Sequence, residues 1–284
     1  MSKHNLFRRF QYALYERFPF PSISYDENVE IDVVIPAIEK DIQILPLCIE
    51  GVKRNVVHKI KTIYIVAPEN ESIRSFCKRQ ELVYVEESSI MGFSPKDLNL
   101  IVIKDGKKIN RSGWLFQQLI KLSGKVGTCD NYLCIDADHI LLRKHVFIDE
   151  NNIPVFYMSS ENNKAYYANI AKLIGLYVSC PLSYVAHKMI FNKRELRNLH
   201  HIIEERHGVN WIQAIINNYD KSEASGFSEF ELYGNYIQNK HRRPWCQQAL
   251  SYSELRNYDE LQRDYAKQYQ SITFPEYFKI SFSH

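Results

Sequence analysis

Tyr132-Leu133-Cys134-Ile135-Asp136-Ala137-Asp138 is a short apolar run that stops at two carboxylates. Four apolar residues bounded by polar ones read as a strand buried on both faces, and the acidic pair then falls in the turn at its carboxyl end. Working outward, Ile31-Asp32-Val33-Val34-Ile35-Pro36 is a β-branched strand closed by proline. Thr62 to Val66 and Leu82 to Val85 are two more strands. Helical patterns fall between them at Ile42 to Arg54 and Ser72 to Arg79, and a further one at Ser112 to Leu122 precedes the acidic strand. Strand and helix in alternation predict a parallel sheet with right-handed crossovers. Ligands of such open sheets bind beyond the carboxyl ends of the strands, which is where Asp136 and Asp138 stand.

The second half reads differently. Phe147 to Ile148 and Val155 to Met158 suggest a hairpin around Asp149 to Asn152, and Tyr184 to Phe191 suggests one more strand. Helical patterns then dominate at Arg194 to His207, Trp211 to Tyr219, Glu229 to Gln238 and Tyr252 to Gln270. Neither an internal repeat nor a linker breaks the chain. The expectation is one domain over 1–284: a helical extension at 1–28, a ligand-binding half at 29–140 and a second half at 141–284.

Composition narrows the function. The 284 residues are 45% hydrophobic, enough for a large core, and carry 36 basic against 33 acidic side chains for a net charge of +3. That balance gives no field for a nucleic-acid partner. Six cysteines (Cys48, Cys77, Cys129, Cys134, Cys180 and Cys246) are scattered without metal-site spacing and read as free thiols of a reducing compartment. With no apolar run near the roughly 20 residues that span a bilayer, the chain is expected to be cytoplasmic. Residues 4–18 place Leu6, Phe7, Phe10 and Leu14 near one helical face among arginines. That helix either packs on the body of the domain or touches a membrane surface as a peripheral contact.

Two carboxylates spaced i, i+2 at a strand end can coordinate a hard cation such as Mn²⁺ or Mg²⁺, which would bridge two phosphates and act as a Lewis acid toward a diphosphate leaving group. An isolated Asp-x-Asp is common in solvated turns; the strand before it and the βα units upstream are what make it informative. In that context the chain resembles the GT-A glycosyltransferases. More narrowly, Gly113-Trp114-Leu115-Phe116-Gln117-Gln118-Leu119, Cys134-Ile135-Asp136-Ala137-Asp138 and Ser228-Glu229-Phe230-Glu231-Leu232-Tyr233-Gly234-Asn235-Tyr236 resemble motifs of an uncharacterised GT-A-like family of bacterial surface-polysaccharide gene clusters. The resemblance spans about residues 30 to 245. It implies an α/β fold of GT-A (Rossmann-like) type, with a mostly parallel central sheet flanked by helices and a helical C-terminal acceptor side. It implies a metal-dependent enzyme that moves a sugar from a nucleotide-sugar donor to a glycan or glycolipid hydroxyl. It would place Pro36, Ala37 and Glu39 near the nucleoside, Asp136, Ala137 and Asp138 at metal and donor, and Gln117 and Gln118 on the helix before the metal strand. Glutamine is equally an ordinary helix-surface residue, and Trp114 an ordinary core residue.

Ser228-Glu229-Phe230-Glu231 has the form of a capping box, with Ser228 as N-cap and Glu231 three residues on. Glu231 is then occupied, and Glu229 is left as the first choice for a general base in an inverting reaction, with Glu231 second. His241 in His241-Arg242-Arg243-Pro244-Trp245 is a choice for a third metal ligand and Arg242 for a diphosphate contact, although basic residues at a helix end also suit its dipole. His187 either faces donor or acceptor or is a core histidine. Two rivals stand beside this reading: a phosphatase of the haloacid dehalogenase type with Asp136 as nucleophile, and a non-catalytic nucleotide-sugar-binding protein on the same fold.

Overall fold

The computed structural model describes residues 10–14, 16–17, 22–178, 182–237, 245–275 and 281–282. Five strands, numbered in chain order, build the main sheet: β1 (Glu30–Pro36), β2 (Lys59–Ala67), β3 (Val83–Glu86), β4 (Asn131–Ile135) and β5 (Lys188–Asn192). Their spatial order is β3-β2-β1-β4-β5. The first four run parallel and β5 pairs antiparallel with β4, Ile135 opposite Lys188. The sheet is therefore mixed α/β and mostly parallel, as the alternation of strands and helices predicts. Ile31, Val33, Ile35, Leu133, Cys134 and Ile135 are fully buried because helices cover both faces.

The covering helices are α1 (Leu45–Asn55), α2 (Glu71–Arg79), α3 (Ser112–Ser123), α4 (Lys164–Ile174), α5 (Lys193–His207), α6 (Trp211–Asn218) and α7 (Glu229–Tyr236). The helix expected from Ile42 begins only at Leu45. Residues Glu39–Gln43 form a 3-10 turn instead, because Pro46 lacks a donor and belongs in a first turn. Most caps are side-chain caps of the expected kind: Asn70 accepts from the Ile73 amide, and Asn192 from those of Arg194 and Glu195.

Three expectations need correction. The long C-terminal helix is only Tyr258–Tyr265, preceded by short strands Ala249–Ser251 and Glu254–Leu255 and followed by Ser271–Thr273. Ser271–Thr273 lies between Ala249–Ser251 and His139–Leu141, so the chain returns to pack against the segment after the acidic pair. The strand expected from Tyr184 starts at Lys188, after a turn that holds His187 in a left-handed conformation, φ 60°. The hairpin around Asp149 is reduced to an Ile148–Pro154 bridge, while Tyr157–Met158 pairs with Trp245–Cys246 instead. At the N-terminus Phe10 and Leu14 face outward, 61% and 41% exposed, and Tyr12 makes the core contact. Leu6 and Phe7 lie outside the described residues.

Two glycines permit close approaches. A Cβ on Gly234 would lie 2.5 Å from the Tyr184 ring, so α7 can press against the turn before β5 only without a side chain there. At Gly127, φ +77°, a Cβ would lie 2.4 Å from Asp32 Oδ2, which accepts from the Thr128 and Cys129 amides.

Candidate metal and donor site

Asp136 follows β4 directly, and its amide donates to the His187 carbonyl at 2.9 Å, which fixes the turn after β4 against the turn before β5. That single backbone bond brings together residues 51 positions apart. Asp136, Asp138 and His187 each offer one ligand atom, and the three atoms lie within 4.8 Å of one another. Two carboxylates and an imidazole, partly open and at the carboxyl edge of parallel strands, suit a divalent cation such as Mn²⁺ or Mg²⁺ with positions left for phosphate or water. The donor set fits the metal that the sequence motif implies.

Charge around the pair is organised by lysine. Lys121, on the buried face of α3, donates to Asp136 Oδ1 at 2.7 Å and to Glu229 Oε1 at 2.8 Å, with its side chain 8% exposed. It also lies 4.5 Å from the centre of the Phe230 ring. Burial opposes its charge, yet Asp136 and Glu229 outweigh burial and raise the ammonium above its ordinary value. Burial likewise pushes Asp136 up, but Lys121 and then His187, whose Nδ1 is 3.1 Å from Oδ2, hold that carboxyl well below the usual range. At Asp138 the pull of His187 is outweighed. Burial and the neighbouring Asp136 charge raise it to about 6.

The two glutamates do not divide their work as the capping-box pattern predicts. Ser228 caps α7 by accepting from the Glu231 amide at 3.3 Å, but the Glu231 carboxylate turns away. It receives Ser183 Oγ at 2.6 Å, Tyr167 OH at 3.1 Å and Asn235 Nδ2 at 2.9 Å, while burial raises it to about 7. Glu229 is not free either. It is buried in the ion pair with Lys121, and its amide, one of the donors at the start of α7 that no helix carbonyl can satisfy, donates to Gln118 Oε1 at 3.3 Å. Gln118 is thus a buried helix-end partner, and Gln117 beside it is half-buried.

Pro36 and Ala37 are buried at the end of β1, where the Ala37 amide continues the sheet by donating to the Val66 carbonyl at 2.9 Å, and Glu39 is exposed on the following turn. Ala137 is buried between the two aspartates. His241 and Arg242 lie outside the described residues; the imidazole beside the aspartates is that of His187. Sequence reasoning missed Lys121, His139 and Lys188. Lys121 alone left a trace: a cation one turn on from Gln118 and two from Trp114 in a helix whose last turns are otherwise mostly apolar, where buried cations are rare.

The fold is of the GT-A type found in glycosyltransferases. Mouse xyloside xylosyltransferase 1 in its apo form superposes with a TM-score of 0.52 at 9% identity, over 89% of this chain and 100% of that one. The galactosyltransferase LgtC in complex with donor and acceptor sugar analogues gives 0.47 at 14% identity over 88% of each chain. The apo bifunctional glycosyltransferase WbbM gives 0.46 at 10% identity, over 92% of this chain and 47% of that one. At these identities it is the xylosyltransferase that carries the likeness, and what it shows is the fold. By sequence, residues 29–274 match the family of unknown function DUF6492, and the chain belongs to that family. No curated protein matches it. Among the described residues no helix is long and apolar enough to cross a membrane.

Proposed function

We propose that the protein is a metal-dependent glycosyltransferase that takes a sugar from a nucleotide-sugar donor and passes it to a hydroxyl of a glycan or glycolipid. The observation that carries the proposal is the convergence of Asp136, Asp138 and His187 within 4.8 Å at the carboxyl edge of a GT-A-type sheet. These three would hold Mn²⁺ or Mg²⁺, which when bound supplies Lewis-acid neutralisation of the departing nucleoside diphosphate. Lys121 sets the orientation of Asp136 by binding its Oδ1, so that Oδ2 is presented toward Asp138 and His187. Pro36, Ala37 and Glu39, on the neighbouring strand end, would meet the nucleoside, in keeping with ligand binding outside the carboxyl ends of an open sheet.

The buried pairing of Glu229 with Lys121 favours a supporting role for this carboxylate over that of a base exposed to acceptor. Glu231, enclosed by Ser183, Tyr167 and Asn235, stands further from that role still. A phosphatase reading with Asp136 as nucleophile is not favoured by the GT-A-type sheet at whose edge the pair stands.

The test is a thermal-shift screen of nucleoside diphosphates with Mn²⁺ and Mg²⁺, followed by assay of nucleotide release from the matching sugar donors. A ligand that binds only the native state raises the transition, by about 2.7 kcal/mol of added stability at a hundred times its dissociation constant. Metal-dependent stabilisation by one diphosphate and slow hydrolysis of its sugar conjugate are expected. Phosphate release from simple monoesters without any nucleotide response would point to the phosphatase.

A further inference from the structure

Behind the acidic pair lies a second array of buried polar side chains that the donor chemistry does not use. His139 is fully buried one residue after Asp138, and its ring lies parallel to that of His187, with centroids 5.4 Å apart and planes 20° apart. Both ring nitrogens of His139 are engaged. Lys188 Nζ is 2.9 Å from Nε2, and Thr273 Oγ1 is 2.7 Å from Nδ1. With the lysine donating to Nε2, Nδ1 carries the ring hydrogen and donates to the threonine. Lys188 in turn reaches Gln247 Oε1 at 3.3 Å and lies 5.1 Å from the centre of the Tyr157 ring.

The array has no evident reason to exist for stability. Lys188, His139 and Thr273 are 1%, 0% and 4% exposed, and no ion pair to Lys188 is found among the described residues, so an apolar trio would fill the same space at lower cost. What it does is fix a plane. With both edges tethered the His139 ring is held in place, and among the described residues the ring stacked on it is that of His187. His187 itself is held at φ 60°, a conformation uncommon for a residue with a Cβ and concentrated at functional sites. Consecutive residues thus grip one ring from two sides, His187 on its face and Lys188 on its edge.

We infer that His139, Lys188 and Thr273 are positioning residues that orient the His187 imidazole toward a divalent cation shared with Asp136 and Asp138. The inference rests on the metal reading of the site and adds to it the residues that set the third ligand. Outer partners of a ligating histidine commonly tune metal affinity by about 10- to 100-fold.

Mn²⁺ alone, titrated into the purified full chain and followed by loss of the free-ion electron paramagnetic resonance signal, is the readout, with melting temperature measured in parallel. Lys188→Met keeps the length of the side chain and removes the tether. It should weaken Mn²⁺ about tenfold, within the usual range for such partners, while the melting temperature holds or rises. A merely structural lysine would move melting and affinity together. His139→Ala, where it folds, should weaken Mn²⁺ by at least as much, and His187→Ala by more. Unchanged Mn²⁺ affinity in Lys188→Met overturns the inference. So does wild-type affinity in His187→Ala when Asp138→Ala has lost binding, and in that case the metal reading survives without the array. No Mn²⁺ binding by the wild-type chain overturns both.

Discussion

Two lysines are buried on opposite flanks of the Asp136-Ala137-Asp138 turn, and they solve the same problem differently. Lys121 sits between two carboxylates and gains charge stability from them. Lys188 has a histidine, an amide oxygen and an aromatic face, and burial alone lowers it to about 7. The first is a buried ion triad, whose disruption strands charges. The second is a buried base that can shed its proton, so its loss strands little. The difference teaches which half of the site carries charge balance and which carries only geometry: the Lys121 side neutralises Asp136 and Glu229, and the Lys188 side shapes what stands beside them.

The largest expected effect lies on the pair itself. Asp136→Ala or Asp138→Ala should abolish Mn²⁺-dependent binding of a nucleoside diphosphate, since either change removes a charged ligand from the cation. The two should part in stability. Asp136→Ala leaves Lys121 with one partner and lowers the melting temperature, whereas Asp138→Ala relieves a carboxyl already raised by burial and by Asp136. Calorimetric titration with denaturant melts of both variants checks this, and undiminished metal-dependent binding in both would remove the assignment.

Next is Lys121→Met, which leaves Glu229 buried and Asp136 partly buried with no ammonium between them. Breaking a buried pair by removing one partner costs about 3–5 kcal/mol, and urea denaturation should show a loss of that size. Adding Glu229→Gln should return part of it, so that the double variant is less damaged than the sum of the singles. Glu229→Gln should also reduce turnover through Asp136 rather than through a lost base. Its effect is then expected mainly in metal-dependent donor binding, and a fall in turnover with donor binding intact would restore Glu229 as the base.

Lys188→Met should do the reverse. A lysine lowered to about 7 in the folded chain, from about 10.4 unfolded, contributes stability that is present above the unfolded value and lost as pH falls toward 7. Removing it should therefore stabilise the protein most at and below pH 7, by something on the order of 1–4 kcal/mol, the range for replacing buried ionic groups with apolar ones. The gain should shrink toward pH 10. A loss at pH 6.5 comparable to that of Lys121→Met would erase the distinction between the two lysines.

How much of this was legible follows the kind of signal each residue leaves. The strands Ile31–Pro36 and Tyr132–Ile135 and the acidic turn are local patterns, and the alternation of strands and helices puts their carboxyl ends on one edge of the sheet. His187, Lys188 and Thr273 meet Asp136 and His139 through an antiparallel strand and a returning C-terminal segment, pairings between positions 49 to 134 apart that no periodicity announces. The Ser228-to-Glu231 pattern misled for a physical reason. A capping box needs the glutamate to turn back to its own helix end, and here Ser183, Tyr167 and Asn235 offer that carboxylate better-placed donors, while Lys121 claims Glu229.

Glu231 supplies the smallest effect and the mirror image of Lys188. Its carboxyl is raised to about 7 by burial, against an unfolded value near 4.3. For a raised group the stabilising contribution is complete below the unfolded value and lost as pH rises through the folded one, so wild-type stability should decline across about pH 4.5 to 7 on this account. Glu231→Gln resembles the protonated form, and the hydroxyls of Ser183 and Tyr167 can rotate to accept from its amide, so at pH 5 the variant should lie within about 1 kcal/mol of wild type. Above pH 7 it should match or exceed wild type, because it has no charge to bury. Chemical denaturation at pH 5, 6, 7 and 8 reads the difference directly. A variant that loses ground as pH rises would mean that the hydrogen bonds from Ser183, Tyr167 and Asn235 outweigh burial and that Glu231 is ionised in the folded chain.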